Sequence, residues 1–463
     1  MPPSDRADRA PHATAADRPS VSSTPTTLLA EPPFRALIRL AGPTTGVMSI
    51  AAFSNVLHTY FVSHLGAEAI AAVSLVFPVS LILTTLMGGG IGAGVSSAVA
   101  RSIGAGKPAE ATAVAEHAFA LTAALGGILS VVLVIEALPI FRLMGANGGV
   151  LDSAVAFSRV LFGGLVISFF VATCDSVLRG EGNVRVPAIW STLSLVSQIV
   201  LTPLFMFPMG MGIRGAPAAM LTGQMIGLGP RLRHIFGGKA VLRPRLLPRA
   251  VHLAPLVGIL RVGIPASLGT LLNYLGMMVL TTVMARFGTA DLAAFGLGSR
   301  LDFLLLTICY GTGIAVLTLV GFAVGAGRPD LAAGYTRRAV VLMAGTVSVP
   351  AVLLWVAPSI WFGLFTDDRA IREVGTLYFR IIGLSYPFLA TSMMLAFAFQ
   401  GLGRATTPLA VMAIRITVLV VGALLLSSKF GYGVSAVFAL IAATQCLSAV
   451  LLSVAFVTGV RRL

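Results

Sequence analysis

Two halves of this 463-residue chain repeat each other at a spacing of 221 or 222 residues. Gly66 opens Gly-Ala-Glu-Ala-Ile-Ala-Ala, and Gly288 opens Gly-Thr-Ala-Asp-Leu-Ala-Ala. Gly104-Ala-Gly-Lys-Pro108 returns as Gly325-Ala-Gly-Arg-Pro329, and Gly180, Gly182 and Pro187 return as Gly401, Gly403 and Pro408. Thr222-Gly-Gln224 returns within one step as Thr444-Gln445. The offset is 222 at Pro43/Pro265 and Gly66/Gly288 and 221 from Gly104/Gly325 onward, so a single-residue insertion or deletion separates the halves. A repeat this long, made of apolar runs, restricts the fold to two like bundles joined by a linker.

The apolar runs decide what kind of bundle. Hydrophobic residues make up 57% of the chain and charged residues 11%, against about a quarter charged in an ordinary soluble domain. Stretches of 20 or more apolar residues recur along nearly the whole length, each long enough to cross about 30 Å of hydrocarbon. The reading is an all-α polytopic membrane protein, with 12 transmembrane helices in two parallel-repeat six-helix lobes. Cys174, Cys309 and Cys446 all fall inside apolar spans and read as small packing residues, not as a disulfide framework. Gly88-Gly-Gly-Ile-Gly-Ala-Gly94 lies within a span and no Lys-Ser/Thr follows it, so it is not a phosphate loop. No metal-ligand spacing or nucleophile motif is present, and the chain is not expected to be an enzyme or to need a cofactor. A net charge of +15 would point to nucleic acid in a soluble protein. Here basic residues instead mark cytoplasmic loops, and no nucleic-acid partner is expected.

Residues 1–33 are rich in Pro, Ser, Thr, Ala, Asp and Arg and read as a disordered cytoplasmic tail. An N-terminal six-helix lobe follows at 34–236, then a basic cytoplasmic connector at 237–256, then a C-terminal six-helix lobe at 257–463. The twelve spans fall at 36–63, 69–100, 113–141, 153–179, 187–210, 215–236, 257–286, 291–321, 336–363, 374–401, 408–428 and 433–460. Six is even, so the second half enters from the side where the first began. With both termini inside, 22 basic residues fall on the cytoplasmic side and nine on the other, and Arg415 lies within a span. That bias orients the chain in a cell (inner or plasma) membrane. Gly90, Gly94 and Ala98 lie four apart and match Gly311 and Ala315, a spacing that lets helices approach closely in lipid. Pro43 and Pro265 stand in the early turns of the first span of each half, and Pro43 is the candidate helix hinge.

At this point the chain resembles the multidrug and toxic compound extrusion (MATE) transporters, over residues 34–460. The matching stretches in the first half are Phe61-Val-Ser-His-Leu-Gly66, Ala69-Ile-Ala-Ala72, Ala100-Arg-Ser-Ile-Gly-Ala-Gly-Lys-Pro108, Leu178-Arg-Gly-Glu-Gly-Asn183 and Gly212-Ile-Arg-Gly-Ala216. The second half adds Arg286-Phe-Gly-Thr289, Leu292-Ala-Ala294 and Val324-Gly-Ala-Gly-Arg-Pro329. The resemblance implies two lobes forming a V, alternating access, and export of small amphipathic molecules driven by inward flow of protons or sodium. A major facilitator transporter is the rival, but its usual Gly-x-x-x-Asp-Arg loop is replaced here by Arg101-Ser-Ile-Gly-Ala-Gly-Lys-Pro108. A flippase for lipid or lipid-linked precursors is the alternative within the same superfamily.

An antiporter needs a group that holds an ion in one state and releases it in another, and intramembrane ionisable residues are the default candidates. The resemblance places a first-span Asp where this chain has His58, a fifth-span Asn and Asp where it has Gln198 and Thr202, and a seventh-span Glu where it has Asn273. The polar character survives and the carboxylates do not. A desolvated imidazole favours its neutral form and can take a proton when its cavity meets water, so His58 is the sharpest coupling candidate; a neutral, hydrogen-bonded His is the plainer reading. Asp175 is either a relocated ion ligand or the partner of Arg179, four residues on. Thr222 and Gln224 could join Gln198 and Thr202 in one polar cluster, and Asn55 and Tyr274 complete the set of ion and substrate candidates. Asp302 and Glu136 read as interfacial, and Arg415 as reaching the interface or fixing helix contacts. Tyr60, Tyr310, Tyr386, Met277, Met278, Met393 and Met394 offer pliable surfaces for mixed ligands. The expected partners are a small-molecule substrate and the bilayer, the coupling ion H+ or Na+, and the working unit a monomer.

Overall fold

The computed structural model describes residues 25–238, 240–248, 250, 252–428 and 433–460. Residues 1–24 of the expected tail, and Lys239, Arg249, Lys429, Arg461 and Arg462 of the basic residues, lie outside the described residues. Twelve helices carry the fold. In the N-lobe they are α1 (Pro33–Ser63), α2 (Ala67–Gly104), α3 (Pro108–Ile135), α4 (Gly148–Gly163 and Leu165–Gly180, bent by 45°), α5 (Arg185–Met206) and α6 (Gly215–Phe236). In the C-lobe they are α7 (Leu253–Ala285), α8 (Thr289–Gly325), α9 (Pro329–Val356), α10 (Arg369–Gly401), α11 (Thr406–Ser428) and α12 (Val434–Val460). Eleven of these are long and apolar enough to cross a membrane when bent α4 counts as one span; α6, with Arg231, Arg233 and His234 near its end, is the twelfth.

The repeat explains the turns. Gly66 and Gly288, with φ of 99° and 146°, precede α2 and α8, and Gly106 and Gly327, with φ of 70° and 68°, close them. Only glycine adopts that backbone at low cost, so the duplicated glycines are duplicated tight turns. Pro108 and Pro329 then start α3 and α9 at the first helical position, where a missing N–H is harmless. The expected spans began later, because the charged first turns of α3 and α9 read as loop while the proline already fixes a helical start.

The helices meet where side chains are absent. A Cβ on Gly180 would lie 2.8 Å from Val99, and one on Gly401 would lie 2.7 Å from the Leu317 carbonyl, the same α2–α4 and α8–α10 crossing in each lobe. Between lobes, a Cβ on Gly104 would lie 2.3 Å from the Phe322 carbonyl and one on Gly325 would lie 2.1 Å from the Arg101 carbonyl. Close backbone approach of this kind holds helices together where lipid removes the hydrophobic drive. Ser97 donates to the Gln400 carbonyl, Arg101 Nη1 to the Gly401 carbonyl at 3.3 Å, and Thr318 to the Arg179 carbonyl at 3.3 Å. Ser267 reaches the Leu86 carbonyl at 3.4 Å, beside the widened helical turn Thr85–Ile91 within α2. All these contacts lie in the half of the bundle nearer the 237–252 connector, here the connector end. Toward the far end, no hydrogen bond joins described residues of the two lobes beyond the Leu86–Ser267 level.

The connector is fastened to the N-lobe. Glu181, in the turn after α4, accepts the backbone N–H groups of Val241 at 3.3 Å and Leu242 at 3.1 Å. Glu116 accepts from Arg245 N at 2.9 Å, and His117 Nε2 accepts from His252 N at 2.8 Å. Burial pushes the Glu181 carboxyl up to about 7 from an ordinary 4.5, against its two hydrogen bonds. The folded state therefore keeps a proton that the unfolded chain has already lost, and this contribution to stability falls as pH rises from 4.5 to about 7. Glu181→Gln cannot titrate. The difference in thermal midpoint, variant minus wild type, is expected to rise between pH 5 and pH 8; a flat difference would contradict it.

Part of the expected tail is helical. Helix Pro25–Ala30 buries Leu28, whose carbonyl accepts from Tyr335 of α9 at 3.3 Å, and Glu31 pairs with Arg39. The apolar pair Leu28-Leu29 in an otherwise polar stretch supplies that anchor.

Candidate functional site: two polar clusters in two lobes

The N-lobe cluster is an ion pair at the connector end. Asp175 Oδ1 accepts from Arg231 Nε at 2.7 Å and Oδ2 from Arg231 Nη2 at 3.4 Å. Ser191 of α5 bridges them, accepting from Arg231 Nη2 at 2.6 Å and donating to Asp175 at 3.4 Å. Arg179 stands further off, at 3.6 Å. The pair anticipated from i,i+4 spacing is thus the minor one. The main partner comes from α6, whose Arg231 is 0% exposed. A carboxylate enclosed by two guanidiniums and a hydroxyl has little capacity to bind a further cation.

The C-lobe cluster has a different character. Asp302 lies on α8, thirteen residues in from its far end, about 20 Å along the axis. Its side chain turns into the lobe and not to the interface: Tyr386 donates to Oδ1 at 2.6 Å and Tyr378 to Oδ2 at 2.7 Å. Both tyrosines are 1% exposed, while Asp302 itself is half-buried. Gly298, one turn before Asp302, makes the room: a Cβ there would lie 2.5 Å from the Tyr378 ring. Phe295 and Phe438 edge against that ring. No cation lies within ion-pair distance of Asp302 among the described residues. Arg415 of α11 has its Nε buried and without a hydrogen-bond partner.

The remaining candidates are dispersed. Gln198 packs against Gly223, where a Cβ would lie 3.2 Å from Gln198 N, so α5 and α6 bring it beside Thr222. No side-chain-to-side-chain hydrogen bond joins the polar set among the described residues, however: Thr202 bonds back to the Gln198 backbone carbonyl at 2.7 Å and Thr222 to the Ala218 carbonyl at 2.8 Å. Gln224 instead accepts from Ser168 at 2.6 Å, matched in the C-lobe by Gln445 accepting from Ser385 at 2.5 Å. His58 is half-buried on α1, its ring edge-on to Phe157 at 6.3 Å, and no hydrogen bond holds it among the described residues. Asn55 is exposed one turn earlier; Asn273 and Tyr274 are half-buried on α7, in the other lobe. Pro43 lies within an unbroken α1, next to Thr45, which faces Gly311 of α8. If His58 carries the coupling proton, His58→Ala abolishes proton-driven efflux without loss of expression. Unchanged pH-driven transport in that variant removes it from consideration.

The Asp302 cluster is what sequence reading passed over. The available signal was Tyr378 and Tyr386, eight apart and so on one face of α10, with a lone Asp inside the apolar run of α8.

The MatE family model matches residues 43–204 and again 265–425. The chain belongs to the MATE family. The two matches begin 222 residues apart and end 221 apart, the same slip that relates the halves in sequence. The FAD transporter of Shewanella oneidensis is 29% identical over 85% of this chain and 87% of its own length. A probable multidrug resistance protein NorM of Thermotoga maritima is 27% identical over 82% of each. The multidrug export protein MepA of Staphylococcus aureus is 25% identical over 82% of this chain and 85% of its own. Among solved structures, an outward-facing multidrug resistance MATE family transporter superimposes with a TM-score of 0.88 at 26% identity, covering 96% of this chain and 99% of that one. A MATE in a bent conformation gives 0.90 at 26% identity, covering 96% and 98%. This chain is therefore a multi-pass membrane transporter of the MATE family and not an enzyme.

Proposed function

We propose that this MATE protein is a secondary antiporter that exports small amphipathic organic compounds in exchange for protons. Asp302 carries the reading. Among the described residues it is the acidic side chain inside the lobes that is half-buried and held by hydroxyls instead of by an ion pair. When it gains a proton, one tyrosine need only turn from donor to acceptor, so the site can take up and lose charge without rebuilding its walls. Sodium is the less favoured ion, because both carboxylate oxygens are already capped by O–H donors. The hydrogen bonds between the lobes gather toward the connector end, which supports a V open on the far side. With the basic connector and both termini in the cytoplasm of a cell membrane, this arrangement is an outward-open state, and alternating access closes it by rocking the lobes about the α2–α8 contact, with bending at Pro43. The protein works as a monomer, and its basic surface marks orientation and not nucleic-acid binding. The similarity to a FAD transporter makes flavin adenine dinucleotide a first cargo to test beside organic cations. With Asp175 neutralised by Arg231, little acidic surface is left to favour dications.

The test is uptake of each cargo into vesicles of reconstituted protein under a proton gradient alone and a sodium gradient alone. Accumulation driven by protons supports the reading. Accumulation driven only by sodium, or movement of lipid analogues in place of soluble cargo, replaces it.

A further inference from the structure

A groove of about 720 Å³ opens on the wall of the N-lobe, on the face of α4 that borders its buried stripe at Val155. Its floor is apolar, made by Leu138, Val155, Ala156 and Val160, and two exposed guanidiniums, Arg159 and Arg214, stand over it. We propose that it binds one anionic glycerophospholipid, the phosphate held between Arg159 and Arg214 and an acyl chain lying along the apolar floor.

Depth is the first argument. The buried Asp175–Arg231 pair fixes a level near the connector end of α4 and α6. Arg159 lies 16 residues back along α4 from Asp175, and Arg214 lies 17 residues back along α6 from Arg231. Allowing for the 45° bend of α4, they are therefore about 22 Å and about 25 Å away, toward the opposite edge of a hydrocarbon layer about 30 Å thick. The α5–α6 turn ends at that level, whereas Gly148 to Ser158 of α4 continue past it. The guanidiniums sit where lipid phosphates sit.

Charge is the second. Neither arginine meets a carboxylate at ion-pair distance among the described residues. Guanidinium is the side chain that holds a phosphate diester in directed, paired hydrogen bonds. Asp152 stands two turns above Arg159 toward the water, placed to accept from the hydroxyls of a glycerol headgroup. The site then carries one net positive charge against one negative charge on phosphatidylglycerol. The C-lobe repeats the acid and the first arginine as Glu373 and Arg380, but Ser435 replaces Arg214, and Glu373 is engaged by Arg369 at 2.9 Å. The pair of guanidiniums is particular to the N-lobe.

Native mass spectrometry of the full chain, titrated with phosphatidylglycerol, phosphatidylethanolamine or phosphatidylcholine of the same acyl chains, tests this without any transport assay. One phosphatidylglycerol is expected to be retained in preference to the zwitterionic lipids. Arg159→Gln with Arg214→Gln weakens that first binding by about tenfold or more, whereas Arg142→Gln, exposed at the same end but outside the groove, leaves it unchanged. Phosphatidylglycerol raises the thermal midpoint of the wild type and not of the double variant, and glycerol 3-phosphate does neither. Equal retention of a zwitterionic lipid, undiminished binding by the double variant, or binding of glycerol 3-phosphate as tight as the lipid overturns the proposal.

Discussion

Asp302→Asn is expected to abolish proton-driven accumulation, at least about tenfold below wild type and down to the level of empty vesicles, while the protein remains folded. Asparagine keeps the shape of the side chain and one acceptor for a tyrosine hydroxyl. The second hydroxyl then faces an amide N–H and must accept, which tyrosine can do. The stability lost is about one hydrogen bond to a charged group, roughly 1.5–3 kcal/mol. The variant cannot change charge, so the dependence of transport on the proton gradient disappears, while counterflow of labelled cargo down its own gradient continues. Tyr378→Phe with Tyr386→Phe gives the complementary result: the carboxylate stays, its two donors at 2.7 and 2.6 Å go, and the pH profile of transport shifts instead of vanishing. Retention of gradient-driven accumulation by Asp302→Asn would exclude Asp302 as the carrier and return attention to His58.

The second large effect is on stability. Arg231→Ala leaves Asp175 charged among buried residues, with Arg179 at 3.6 Å as its remaining cation. Breaking a buried pair from one side costs about 3–5 kcal/mol, so a marked fall in thermal midpoint in detergent is expected. Removing both charges is different. Asp175→Leu with Arg231→Met refills the space with apolar atoms and is expected to recover most of the loss, since Arg179, on the last turn of α4, can extend toward water. That double variant also separates structure from function. If it folds and still couples to protons, Asp175 is a staple between α4, α5 and α6. If it folds and has lost coupling, Asp175 is an ion ligand after all. An Arg231→Ala variant as stable as wild type would show that the pair holds nothing together.

The frame was legible because it is written in features that need no partner to be read. Long apolar runs report the solvent, duplicated glycines report duplicated turns, and Pro108 and Pro329 report helix starts. Each is a local consequence of backbone or hydration physics. Span boundaries were less legible, because a charged first turn such as that containing Asp330 looks like loop until the helix is seen to include it.

The polar clusters were legible only in part. Asp175 and Arg179 could be paired from sequence, being one turn apart, yet the stronger partner, Arg231, is 56 residues away and was indistinguishable from the basic loop beside it. Asp302, Tyr378 and Tyr386 are separated by up to 84 residues. Nor does the repeat predict these groups. At the 221-residue offset, Asp175 and Arg231 correspond to Ala396 and Leu452, and Tyr378 and Arg415 to Phe157 and Ser194. Each lobe carries its own acid inside the bundle at a site the other lobe fills with apolar or small residues.

The amino-acid sequence alone therefore determined the membrane setting, the twelve helices, their division into like halves and the family. The tertiary structure decided which acid is held by a guanidinium and which by tyrosine hydroxyls. Hydropathy and turn chemistry act between neighbours along the chain. The state of a buried carboxylate depends on donors brought to within 3 Å by helices distant in sequence.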